Sequence, residues 1–173
     1  MFVQDEEKRL LYLKRQQKIK YKKLAGFDLD HTFITTKSGN TFPKNSDDWK
    51  LFNENVEDKI KQLMKEKYQI VIFSNQSNMD KSEKKYSGFI EKIKEINKLF
   101  NNKIEFVVAF GKNEYRKPEI GMWEFYTKNR NVNYDESFYV GDAAGRKNDF
   151  SDSDLKFAEN IGITFYTPEE YFE

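Results

Sequence analysis

The amino-acid sequence predicts an α/β fold: a Rossmann-like, mostly parallel sheet with helices on both faces, a β-hairpin flap and no large cap domain. Short apolar runs rich in β-branched and aromatic residues alternate with stretches of helical period, the pattern of successive strand–helix units. The polar residues then fall in one kind of place. Asp28 and Asp30, Ser74 and Asp142 each follow an apolar run, and in a doubly wound sheet the carboxyl ends of the strands form the edge where ligands bind.

Leu10–Leu13 is a short entry strand, and Lys14–Lys23 is a polar, basic connection. Leu24-Ala25-Gly26-Phe27 has the character of a buried central strand running straight into Asp28 and Asp30. Residues 33–43 resemble the β-hairpin, with Ser38-Gly39-Asn40 as its turn. Over Asn53–Lys67, the residues Val56, Ile60, Leu63 and Met64 make a helical stripe. Gln69–Phe73 is a second buried strand, ending at Ser74-Asn75-Gln76. Ser82–Phe100 is a helix with Tyr86, Phe89, Ile93 and Ile96 on one face. Ile104–Phe110 is a third strand and Gly111–Lys117 a loop, after which Pro118 suits the first turn of a helix to about Asn129. Ser137–Val140 is the fourth strand, ending at Gly141-Asp142. Ser151 or Asp152 caps a helix to Ile161, and Ile163–Tyr166 is a fifth, short strand. With 173 residues and no linker long enough to separate a second core, one domain over residues 1–173 is expected.

Composition narrows the chemistry. A hydrophobic share of 38% against 34% charged describes a globular protein rather than a disordered one. No apolar run is long enough to span a bilayer, and the N-terminus lacks the basic start and apolar core of a secretion signal. An intracellular setting, nuclear or cytoplasmic, is expected. The chain has no cysteine, which excludes disulfides, thiol catalysis and thiolate metal sites. A single histidine, His31, excludes mechanisms needing two. The net charge of +1 offers no general attraction for polyanions, so contact with nucleic acid must come from local clusters.

Strand order brings three carboxylates (Asp28, Asp30, Asp142), one hydroxyl (Ser74) and one ammonium (Lys117) to one edge. Crowded carboxylates repel unless a cation sits among them, and oxygen ligands at a partly hydrated site suit Mg2+. Phosphoryl transfer gives each group a role. Asp28 is the nucleophile, dividing hydrolysis into two easier steps through an aspartyl-phosphate. Asp30 is the acid that protonates the leaving oxygen and the base that later takes a proton from water. Ser74 and Lys117 hold the phosphate, and Asp142 is a metal ligand. Between Asp30 and Ser74 lie only the hairpin and one helix, and between Ser74 and Lys117 one helix and one strand. Neither gap holds a lid domain, which favours a large substrate over a metabolite sealed from water.

These residues also resemble a known family. Asp28-Leu29-Asp30-His31-Thr32, the strand ending in Ser74, Lys117 before a proline and Gly141-Asp142 match the four motifs of haloacid-dehalogenase-like phosphatases. Within them the chain is similar to the 3′-phosphatase domain of polynucleotide kinase 3′-phosphatase. The strings that carry this likeness include Ile34-Thr35-Thr36-Lys37-Ser38-Gly39, Phe42-Pro43, Tyr115-Arg116-Lys117-Pro118, Val140-Gly141-Asp142-Ala143-Ala144-Gly145-Arg146, Asp149-Phe150-Ser151 and Thr167-Pro168-Glu169-Glu170. The likeness spans residues 9–173. It implies removal of 3′-phosphate from DNA ends, as in strand-break repair, by a monomer with Mg2+ and no nucleotide cofactor. It further implies that Asp28, the backbone carbonyl of Asp30, and Asp142 hold the metal. Ser74 and Thr32 would contact phosphate, with Asn75, Arg116 and Arg146 on the substrate. His31 stands where a glycine is usual. No Gly-x-x-x-x-Gly-Lys-Ser/Thr loop occurs, so no 5′-kinase activity is expected.

Plainer readings stand beside these. A metabolite phosphatase on the same scaffold, an open-site protein phosphatase and a non-catalytic DNA-end-binding module are the alternatives. Among Asp149, Asp152 and Asp154, Asp149 is the favoured carboxylate to support the metal, while Asp152 is equally explained as a helix cap. The run Lys18–Lys23 reads as a solvated face or a nuclear-import signal. Trp49 and Trp123 read as core anchors, with Trp49 near enough to the hairpin to stack on a base.

Overall fold

The computed structural model describes residues 2–16 and 19–173; Lys18, where the basic run begins, lies outside them. Among the described residues, nine strands and five α-helices follow in the order β1 (Phe2–Asp5), β2 (Leu10–Leu13), β3 (Lys23–Phe27), β4 (Ile34–Thr35), β5 (Lys50–Leu51), α1 (Val56–Lys65), β6 (Tyr68–Asn75), α2 (Glu83–Lys98), β7 (Glu105–Ala109), α3 (Gly121–Thr127), β8 (Phe138–Val140), α4 (Ser153–Ile161), β9 (Thr164–Tyr166) and α5 (Pro168–Phe172). Seven strands form one sheet in the order β1-β2-β7-β6-β3-β8-β9. From β7 to β9 every neighbour is parallel, and β1 and β2 add an antiparallel margin.

Alternation along the central strands builds two cores, since successive side chains point to opposite faces. Ala25, Phe27, Ile70, Ile72, Phe106 and Val108 meet α1, α2 and α5 on one side. Leu24, Val71, Phe73, Val107 and Tyr139 meet α3 and α4 on the other. Both tryptophans belong to this packing: Trp123 is buried, and Trp49 is partly buried against the first core.

Two local expectations are corrected, and two elements are added. The flap exists, but residues 33–43 do not pair with themselves. Ile34 and Thr35 pair with Leu51 and Lys50, and the long tip between them is held by Asp48, which accepts from Ser38 N, Ser38 Oγ and Lys44 N at 2.8, 2.6 and 2.9 Å. Pro118 does not open a helix: Glu119 N donates back to Arg116 O in a turn, and α3 begins at Gly121. The C-terminal Thr167-Pro168-Glu169-Glu170 is a capping box that starts α5, with Thr167 Oγ1 accepting from Glu170 N and Glu170 Oε2 from Thr167 N. That helix and β1 are additional to the elements expected from periodicity. Among the described residues no helix is long and apolar enough to cross a membrane.

Candidate active site

The predicted residues meet at one end of the sheet. Asp28 follows β3, Ser74 lies next to the last residue of β6, Asp142 follows β8, and Lys117 arrives on the loop after β7. Lys117 is 3% exposed and uses all three of its N–H donors. Its Nζ donates to Asp28 Oδ1 at 2.9 Å, Asp154 Oδ1 at 2.8 Å and Tyr139 OH at 2.8 Å. The Tyr139 hydroxyl donates to the same Asp154 oxygen at 2.9 Å, and Asp154 Oδ2 accepts from Ala143 N at 3.0 Å. Lys117, expected to hold phosphate, thus stands in contact with the proposed nucleophile.

Asp154, not Asp149, is the additional carboxylate of this centre. It stands in the first turn of α4, and a Cβ on Gly141 would fall 2.4 Å from its own Cβ. Only glycine admits that approach. Asp149 instead turns away, accepting from Ala144 N and from Arg146 N and Nε.

Two residues expected on the substrate likewise have partners within the protein. The Thr32 hydroxyl donates to Asp142 Oδ1 at 3.1 Å. Asn75 clasps the Lys117 backbone, donating to its carbonyl at 3.1 Å and accepting from its N–H at 2.9 Å. Both side chains thus position other site residues. Arg146 donates to Asp149, to Glu169 at 3.0 Å and to the Asp142 carbonyl at 3.1 Å, and Arg116 donates to Ser77 Oγ.

A residue absent from the predicted site completes it. Gln76 Nε2 donates to Asp30 Oδ2 at 2.7 Å and to Ser74 Oγ at 2.9 Å. Its place two residues beyond Ser74 on the same strand end was the available signal. His31 has φ +57°, a left-handed conformation that favours glycine. Its Nε2 lies 2.7 Å from Thr41 O, so that nitrogen donates and ties the flap tip to the Asp30 loop.

The electrostatics call for a cation. Burial pushes the Asp28 carboxyl well above its ordinary value, and Asp154 and Asp142 add to this against the pull of Lys117. Burial and then Asp154 raise Asp142 as well. Lys117 loses hydration, but Asp154 and Asp28 outweigh that loss and raise it. Oxygens of Asp28, Asp142 and Asp154 lie within 4.8 Å of one another. Asp154 is saturated by Lys117, Tyr139 and Ala143, which leaves Asp28 and Asp142 as hard oxygen donors fit for magnesium.

Comparison with known proteins agrees with this geometry. The family described as polynucleotide kinase 3 phosphatase matches residues 23–172. The bifunctional polynucleotide phosphatase/kinase of Schizosaccharomyces pombe is 44% identical over 94% of this chain, which spans 40% of that relative's length. The polynucleotide 3′-phosphatase of Saccharomyces cerevisiae is 33% identical over 84% of this chain and 85% of its own. In fold, the chain resembles the D,D-heptose 1,7-bisphosphate phosphatase of B. bronchiseptica, solved with magnesium and phosphate. That likeness has a TM-score of 0.61 at 19% identity and covers 84% of this chain and 79% of the other. The match over residues 23–172 and the 33% identity along most of a whole relative establish that the chain belongs to the polynucleotide kinase 3 phosphatase family.

Proposed function

We propose that this chain is a magnesium-dependent phosphomonoesterase that removes the 3′-phosphate from a polynucleotide end, DNA in the first instance. The observation that carries the reading is the buried Asp28–Lys117–Asp154 cluster beside Asp142. An Asp28 oxygen attacks phosphorus as the P–O3′ bond breaks, and Asp30 gives its proton to the leaving 3′-oxygen. Asp30 then takes a proton from water, which attacks phosphorus and frees Asp28 and inorganic phosphate. Gln76 donates to Asp30 Oδ2, which reserves Oδ1 for the proton. Ser74 Oγ accepts from Gln76, so its own hydrogen remains for a phosphoryl oxygen. Magnesium held by Asp28, Asp142 and the Asp30 carbonyl would neutralise charge developing on the phosphoryl group.

Size and surface favour a polynucleotide over a metabolite. A cavity of about 410 Å³ lies away from these residues, lined by Leu13, Lys98 and Lys103 among others. Phe42, next to the His31-bound Thr41, is 80% exposed, and Phe150, on the loop after Asp142, is 87% exposed. Aromatic rings in water beside a phosphate-handling centre suit stacking on nucleobases.

The test uses a 3′-phosphorylated oligonucleotide, histidinol phosphate and a phosphoserine peptide, with magnesium or with chelator. Wild type is expected to release phosphate from the oligonucleotide only with magnesium, Asp28→Asn to release essentially none, and a 5′-hydroxyl strand with ATP to gain no phosphate. Equal release by wild type and Asp28→Asn would refute the nucleophile; hydrolysis of histidinol phosphate alone would refute the polynucleotide substrate.

A further inference from the structure

A cation whose side chain packs into the protein is usually matched to an acid. Lys117 has two carboxylates, and Arg130 has Glu105 at 3.3 Å. Lys92, on α2, is an exception. The residue is 5% exposed because its stem is buried, while its ammonium keeps access to water and, among the described residues, makes no hydrogen bond or ion pair. Its Nζ lies 5.6 Å from the ring of Phe89, one turn back on its own helix.

Lys92 lines a narrow crevice between α2 and the flap, together with Asp30, His31, Thr36 and Asp48. Neither carboxylate there serves it. Asp48 is taken up by Ser38 and Lys44, and Asp30 Oδ2 by Gln76. The crevice adjoins the acid that protonates the leaving oxygen, so the nucleoside departs on this side. On that nucleoside the next negative charge is the phosphodiester joining it to the rest of the strand.

We infer that Lys92 is a substrate contact whose ammonium binds a nonbridging oxygen of the last internucleotide phosphodiester, so that the site selects a strand over a nucleoside 3′-monophosphate. The inference rests on the 3′-phosphatase reading of the same site. It makes the flap crevice a second anion subsite, one nucleotide from the scissile phosphate.

The experiment compares kcat/KM for wild type, Lys92→Met and Lys92→Arg. The substrates are a 3′-phosphorylated oligonucleotide, the same strand with an uncharged methylphosphonate at its last internucleotide linkage, and a nucleoside 3′-monophosphate. Lys92→Met is expected to lose about ten- to a hundredfold on the native strand, the worth of one hydrogen bond to a charged group. Its loss on the other two substrates is expected to be several-fold smaller, because they lack the charge Lys92 reads. Lys92→Arg should keep most of the native rate, and Lys92→Met should melt close to wild type, since the buried stem is replaced by an apolar chain of similar shape and the ammonium has no partner within the protein to lose. Equal losses on native and methylphosphonate strands, or no loss on any substrate, would overturn the inference. So would a lower melting temperature with parallel losses, which marks a structural role. A wild type inactive on every 3′-phosphorylated strand would remove the 3′-phosphatase reading itself, and this inference with it.

Discussion

Tyr139→Phe isolates the network behind the proposed nucleophile, because it deletes one oxygen and keeps the ring. That ring packs on Phe157 at 5.0 Å between centroids and lies over Gly26, so no cavity opens. The hydroxyl is fully buried, donates to Asp154 at 2.9 Å and accepts from Lys117 at 2.8 Å. Burial first, and then Asp154 and Asp28, hold its pKa well above the ordinary value, so it remains a donor at any working pH. Its loss leaves one Lys117 N–H without an acceptor and Asp154 with one donor fewer. Hydrogen bonds to charged groups are worth about 1.5–3 kcal/mol each. Taking the lower figure twice gives about 3 kcal/mol, or a fall in Tm of roughly 6–12 °C for a chain of this size. Scanning calorimetry of wild type and variant reads this directly, and single-turnover rates on a 3′-phosphorylated oligonucleotide should fall as Lys117 loosens. A double variant with Lys117→Met should show strong non-additivity, because both changes act on one network. A Tm within about 2 °C of wild type would mean that the hydroxyl does not bind this ion cluster, and the reasoning would fail.

Other expectations follow from single contacts. Gly141→Ala drives a Cβ to 2.4 Å from Asp154; displacement of that carboxylate should cost about 1–3 kcal/mol in denaturant midpoint and most of kcat, and wild-type turnover would contradict the close approach. Phe42→Ala and Phe150→Ala should change stability by less than about 0.5 kcal/mol, since both rings are exposed. Each should weaken oligonucleotide binding by about 1–3 kcal/mol if its ring stacks on a base, and KM values indistinguishable from wild type would deny them that role. Asp48 is held down to about 2, first by the Ser38 hydroxyl and then by Lys44 N–H. Its folded value lies below the unfolded one, so its stabilisation of the flap is complete above about pH 4 and is lost as pH falls through about 2. Amide exchange at Ser38 and Lys44 should therefore stay protected to about pH 4 and open below it; opening near neutral pH would show that the carboxylate is not the latch.

The sheet was legible because burial writes itself into sequence as apolar runs. Gln69–Phe73 and Leu24–Phe27 lie inside β6 and β3 with their neighbours in the expected order. The ends of β3, β6 and β8 located Asp28, Ser74 and Asp142 for the same reason. Partner choice at that edge is a different kind of information. Thr32 and Asn75 are short polar groups at the right place, but whether each turns to substrate or to a neighbour depends on small distances between loops remote in sequence. The nearest clue to Asp154 was helix phase: it lies in the first turn of α4, where the backbone reaches Gly141. The flap illustrates the limit from the other side. Its turn residues sit where expected, with Gly39 at φ +79°, yet its strands close through Leu51 because Asp48, ten residues from Ser38, ties the tip.

Lys92 marks the deepest gap between the two kinds of reading. In sequence it is one of many lysines on a helix whose apolar stripe passes on either side of it, at Phe89 and Ile93, and a solvated cation is the natural reading. Only the fold shows the flap closing over it and the two adjacent carboxylates already engaged. With no partner inside the protein that ammonium adds little to the fold, and its buried stem would be served equally by methionine. The arrangement makes physical sense when the anion arrives with the substrate, since the buried stem already fixes where the ammonium stands and little ordering is left to be done when the strand binds.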